Sequence, residues 1–202
     1  MVNKKAQALL DLKRRMEGDK SLPLRDTATQ LVFGEGNPDT DIYFLGEAPG
    51  YHEDKHGRPF VGQAGQLLNK LLEGNGLKRE DVYISNIVRF RPPENRDPLP
   101  QEIEAFKKYI EEEISIVDPR IIVTLGRFSM NKFLPSFKIS QVHGKVYPMK
   151  WQDQPRVIIP MYHPAAALRA TAILDQLKQD FKVILKTLGE AKKTKTEQLP
   201  LI

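Results

Sequence analysis

Cysteine is absent from the 202 residues, which excludes disulfides, thiolate zinc sites and thiolate-held iron–sulfur clusters. Histidine is scarce, at four residues, and no metal centre and no cofactor are expected. Nowhere does an apolar run approach the roughly 20 residues of a spanning helix. The N-terminus alternates Lys, Arg, Asp and Glu where a signal peptide requires an apolar stretch. A cytoplasmic location with no membrane partner is therefore expected. One-signed charge is missing from the body of the chain. The net charge is +5, but residues 1–20 and 186–202 carry that excess, leaving 21 bases and 21 acids between them. A surface for a polyanion must then come from local clustering, and Arg89, Arg91 and Arg96 supply the densest group.

What is present is an alternation of short apolar runs and helical stripes. Residues 4–17 form a helix with Ala6, Leu9, Leu10 and Met16 on one side, stopped by Gly18. Strands are predicted over 42–45, 82–88, 121–125 and 157–161. Helical stripes fall between and after them: Ala64, Leu67, Leu68, Leu71 and Leu72; then Ile103, Phe106, Ile110, Ile114 and Val117; and last Leu174, Leu177, Phe181, Ile184, Leu185 and Leu188. Near-continuous apolar strands between helices predict an α/β fold, a three-layer α/β/α sandwich around a central parallel, mainly four-stranded sheet. Trp151 reads as packing near a strand turn. Residues 1–30 read as a helical arm packed on the core, 31–188 as the body and 189–202 as a polar, frayed tail.

In such sheets ligands bind beyond the carboxyl ends of the strands. The residues there are Gly46-Glu47-Ala48-Pro49-Gly50 with Glu53 and Phe60, then Ser85-Asn86 with Arg89 to Arg96, then Gly126-Arg127, and last His163-Pro164-Ala165 to Arg169. A carboxylate, a ring, an amide and an imidazole would converge on one crevice with arginines at its rim. These groups suit an everted nucleobase, which needs a ring to stack on, an amide for its hydrogen-bonding edge and a donor for charge on a leaving base. An Asn carbonyl accepts from uracil N3–H while its NH2 donates to O4; cytosine presents the opposite pattern. A Walker lysine motif and a dinucleotide fingerprint are both absent.

The segments Gly46 to Asp54, Gly57 to Gly65, Ser85 to Asp97, Ile121 to Phe128 and His163 to Leu168 together resemble the uracil-DNA glycosylase superfamily, most closely its iron–sulfur family 4, over about residues 31 to 188. The resemblance implies a monofunctional hydrolase that cleaves the N-glycosidic bond of deoxyuridine in DNA, single- or double-stranded, and acts as a monomer in base excision repair. It implies that Phe60 stacks on uracil, Asn86 reads its N3 and O4 edge, Ala48 lines the uracil site and Glu53 stands near C5. His163 would donate to O2, and Glu47 and Asn95 would position the attacking water. Arg89, Arg91, Arg96, Arg127, Ala165, Leu168 and Arg169 would contact DNA, Leu168 as a wedge. The four cluster cysteines of family 4 fall here on Asp19, Leu22, Phe90 and Phe106, so a cluster-free protein is expected, with Leu22 and the two rings filling the vacated volume. The alternative is a catalytically impaired module that binds uracil or damaged DNA.

Overall fold

The computed structural model describes the backbone of residues 3–197 and the side chains of residues 3–189. Helix α1, Lys4–Gly18, starts at Asn3, whose Oδ1 accepts from the amides of Lys5 and Ala6. Strand β1 (Glu35–Gly36) is followed by β2 (Ile42–Gly46), the short helix α2 (Tyr51–His56), α3 (Gln63–Gly74) and β3 (Tyr83–Asn86). The long helix α4 (Pro100–Val117) leads to β4 (Ile121–Leu125), α5 (Arg127–Asn131) and α6 (Ile139–Val142). The hairpin β5 (Tyr147–Trp151) and β6 (Gln154–Met161), the single turn α7 (Pro164–Ala167) and α8 (Thr171–Glu197) complete the described chain.

The sheet has six strands in the order β1-β3-β2-β4-β6-β5. The four inner strands pair in parallel, and the two outer ones pair antiparallel. The outer pair went unpredicted for physical reasons. β1 is two residues long, and β5 has an alternating, half-buried pattern and joins β6 through Gln152 and Asp153. Both turn residues have positive φ without the Asn-Gly or Asp-Gly signature such a turn favours. Trp151 packs beside that turn, edge-on to Phe133 at 5.6 Å.

Alternation along each inner strand feeds two cores. Tyr43, Leu45, Tyr83, Ile122 and Ile158 face α1 and α4, while Ile42, Phe44, Ile84, Val123 and Ile159 face α3 and α8. With both faces covered, every residue of β2, β3 and β4 is buried. The arm is part of the first core through Leu9, Leu12 and Met16. Leu10, expected inside, is 42% exposed, because it lies one residue off the i, i+3, i+7 stripe that Leu9, Leu12 and Met16 define. The polar segment after Gly189 continues α8 as far as Glu197; the expected tail beyond it lies outside the described residues.

The positions that match the family's cluster ligands do not fit an iron–sulfur cluster. Leu22, Phe90 and Phe106 are buried in one core, and the two rings meet at a centroid distance of 6.1 Å. Asp19 instead accepts from the Tyr109 hydroxyl at 2.6 Å and from Ser21. A hydrocarbon wall and one surface carboxylate offer no thiolate to iron.

Candidate active site

The chain leaves β2 towards β3 on one side and returns to β4 on the other, so a crevice opens at the carboxyl end of β2, the switch point of the sheet. A cavity of about 500 Å³ lies there. Glu47, Ala48, Glu53, Phe60, Asn86, Asn95, Arg96, His163, Ala165 and Arg169, all expected at the site, line it together with Asp97.

Asn86, the last residue of β3, is 2% exposed. Among the described residues its Oδ1 finds no hydrogen-bond partner. An amide oxygen buried without a partner costs about 1–3 kcal/mol, and unlike the equally unpaired Arg89 Nε, Thr124 Oγ1 and Arg156 Nε it belongs to a residue that lines the cavity. Gly46 makes the convergence possible: a Cβ there would stand 2.6 Å from the Phe60 ring and closer still to Asn86 Oδ1. Phe60 is buried and holds a left-handed backbone with φ 51°, a conformation costing an aromatic residue about 1–3 kcal/mol unless its surroundings impose it. The Arg79 guanidinium supplies that restraint, donating to the Phe60 carbonyl at 3.1 Å, to Asn69 Oδ1 at 2.9 Å and to Glu35. Glu53 fixes the other side of the turn, its Oε1 accepting from the amides of Val61 and Gly62 at 2.8 and 2.7 Å.

His163 packs on Phe60 with ring centroids 5.6 Å apart. Its Nδ1 accepts from the Ala165 amide at 3.1 Å, so the neutral ring carries its proton on Nε2. Loss of water around the imidazole pushes its pKa down to about 4, against the opposing charge of Glu53. At neutral pH it is therefore an uncharged donor. The helix that follows His163 is only the single turn α7, so its contribution here is that one amide. Burial pushes the Glu47 carboxyl up to about 7, with the negative Asp97 adding and Arg127 opposing. The closeness of Asp97 to Glu47 is a tertiary fact without a local signal in the sequence.

The arginines divide. Arg89 is not at the rim: it is fully buried and paired with Glu113 and Ser85 between the sheet and α4. The expected contact with DNA is corrected on that ground, since a guanidinium closed off from solvent cannot meet a phosphate. Arg96 forks onto Glu102 at 2.6 and 2.9 Å. Arg91 donates to Asn95 Oδ1 at 2.7 Å, and Arg127 pairs with Asp97 while lying over Phe128. Leu168 is 49% exposed at the end of α7. Among the described residues no group of three or more acidic or histidine side chains is arranged to hold a metal.

A sandwich whose four inner strands are parallel, with a cavity at the switch point lined by a phenyl ring, an imidazole and a buried amide, defines an α/β protein with a candidate ligand site beyond its strand ends. The chain belongs to the uracil DNA glycosylase superfamily, whose model matches residues 33–189. It is 41% identical over 193 residues to the type-4 uracil-DNA glycosylase of Archaeoglobus fulgidus, covering 93% of this chain and 97% of that one. To the type-4 uracil-DNA glycosylase of Sulfurisphaera tokodaii it is 44% identical over 183 residues, 88% of this chain and 83% of the other. To the type-5 uracil-DNA glycosylase of Thermus thermophilus it is 31% identical over 182 residues, 80% and 79% of the two chains.

Proposed function

We propose that the protein is a monofunctional uracil-DNA glycosylase, hydrolysing the bond between uracil and deoxyribose in DNA and leaving an abasic site. The observation that carries this reading is the buried, partnerless Oδ1 of Asn86 in a slot beside Phe60 and His163. In this account uracil stacks on Phe60, and Asn86 accepts from N3–H and donates to O4. Cytosine would set its lone pair against Oδ1 and its amine against the NH2 group. Ala48 and Glu53 bound the C5 side. His163 Nε2–H donates to O2 as the glycosidic electrons pass to the base. A neutral donor avoids locking the base to a cation before the bond breaks, and its hydrogen bond strengthens as negative charge builds on the uracil oxygen. Glu47, half ionised near neutrality, accepts from the water that adds to C1′, and the Asn95 amide helps to hold that water. The step balances: water contributes hydroxyl to C1′, and its proton goes to the site and then to the departing base.

Arg91, Arg96, Arg127 and Arg169 meet backbone phosphates at the rim, and Leu168 with Ala165 enters the stack vacated by the everted nucleotide. One chain supplies every member of the slot, so a monomer suffices, acting on single- or double-stranded DNA in the cytoplasm. A binding module is the competing outcome. Incubating the protein with a uracil-containing oligonucleotide and cleaving abasic sites with hot alkali separates the two. Strand breaks at the uracil position are expected; retained affinity without breaks would make the protein a binder.

A further inference from the structure

The face beside the slot carries an aromatic ring and a cationic hollow that the chemistry above leaves unused. Tyr51 follows Gly50, a wall of the cavity, and is 54% exposed. The Arg91 guanidinium carbon lies 5.3 Å from the Tyr51 ring centre, and Arg91 is itself fixed by Asn95. His52 meets the ring edge-on at 5.4 Å and 82°. Tyr51 is thus an exposed ring held by two neighbours at the lip of the base slot. At the far end of the same helix, His56 and Gly57 open on a hollow of about 560 Å³ that Lys13, Arg25 and Arg58 share with the Glu17 carboxylate, which pairs with Lys13 at 3.7 Å. Arg25 is anchored by the Glu17 carbonyl and by the Phe90 ring, and Arg58 by Glu35, so two of the cations hold fixed positions. A stacking ring followed by fixed cations is the pattern that carries a single strand, because every base has a π-face and every nucleotide a phosphate.

We propose that α2 carries a track for the unpaired strand leaving the slot. Tyr51 stacks the base next to the everted nucleotide, and the hollow around Arg25 and Arg58 receives the phosphates beyond it. The inference rests on the uracil-DNA reading of the slot and adds a second base site to it. Eversion of one nucleotide uncovers a face of its neighbour, so a ring at the lip finds a partner only when the adjacent base is unpaired or unstacked. The track therefore favours single-stranded over duplex DNA.

The test is fluorescence anisotropy with single-stranded oligonucleotides of 3 and 15 nucleotides carrying one 2′-fluoro-deoxyuridine, which resists cleavage, alongside thymine versions and free uracil. Tyr51→Ala is expected to weaken both uracil oligonucleotides about tenfold, Tyr51→Trp to restore binding, and free uracil to bind all three proteins alike. The double variant Arg25→Gln, Arg58→Gln is expected to lower the salt dependence of the 15-mer by about 0.7 per removed contact and to leave the 3-mer unchanged. Oligonucleotide affinity unchanged in Tyr51→Ala would overturn the platform, as would an equal loss for free uracil, which would make Tyr51 a support of the slot. An unchanged salt slope would overturn the phosphate hollow. If wild type does not prefer uracil over thymine oligonucleotides, the reading of the slot fails, and the Tyr51→Ala comparison on the thymine 15-mer still decides the track.

Discussion

In the proposed reading Asn86 and Gly46 carry the specificity as a pair, since a Cβ at Gly46 would collide with the amide and with the Phe60 ring. Asn86→Asp keeps an acceptor for N3–H, replaces the donor to O4 with a repelling oxygen and buries a charge. Single-turnover excision of uracil is expected to fall by about two orders of magnitude or more, and an unchanged rate would remove Asn86 as the reader. The two perturbed groups set the pH behaviour. His163 stays neutral above about pH 4, so between pH 5 and 9 the rate should follow Glu47 alone, rising through about 7 and flattening in Glu47→Gln. A profile unaltered by that substitution would exclude Glu47 from water activation. Stability has the opposite sign for the two groups. Glu47, raised from its ordinary 4.5, contributes fully below that value and loses its contribution as pH rises through about 7. His163, lowered from 6.5, contributes above that value and loses its contribution as pH falls through about 4. Glu47→Gln should therefore stabilise the fold by about 1–3 kcal/mol at pH 8, readable in urea denaturation, with no gain at pH 4.

At the scale of elements, the segment that follows β3 and helix α4 are joined by charge inside the core. Glu113 and Arg89 are both inaccessible; Glu113 accepts from Arg89, from Ser85 Oγ at 2.9 Å and from the Tyr43 hydroxyl. Burial with the Glu113 charge beside it holds the Tyr43 hydroxyl well above its ordinary titration range. Removing one partner strands the other, so Glu113→Ala should cost about 3–5 kcal/mol, and Arg89→Met with Glu113→Leu together should cost less. Equal losses for the single and double variants, measured by urea denaturation, would contradict this. Sequence reading put Arg89 with its neighbours at the rim because a cluster of arginines shows no difference between a residue that turns inward and one that stays out. The Leu22, Phe90 and Phe106 packing, in contrast, was legible, because Phe106 sits on the apolar stripe of α4 and the positions that would need thiolates hold hydrocarbon. Phe106→Ala should cost about 3–5 kcal/mol by emptying that wall, and a loss below about 1 kcal/mol would mean that the wall collapses to fill the space.

Across the whole molecule, the parts visible in the sequence were those with strong periodicity and both faces covered: four parallel strands, the helices between them and the loops at their carboxyl ends. The short β1 and the half-exposed β5 lack that signal, and the roles of Arg79 and Asp97 depend on residues distant in the chain. Convergence at the switch point follows from topology, so the slot residues could be named from the ends of the strands even where the partners orienting them could not. The most direct measurement is the single-turnover excision rate for one oligonucleotide sequence carrying U, C or T at the same position. The account predicts excision of U alone. Comparable rates for C or T, or an intact glycosidic bond at U, would contradict it.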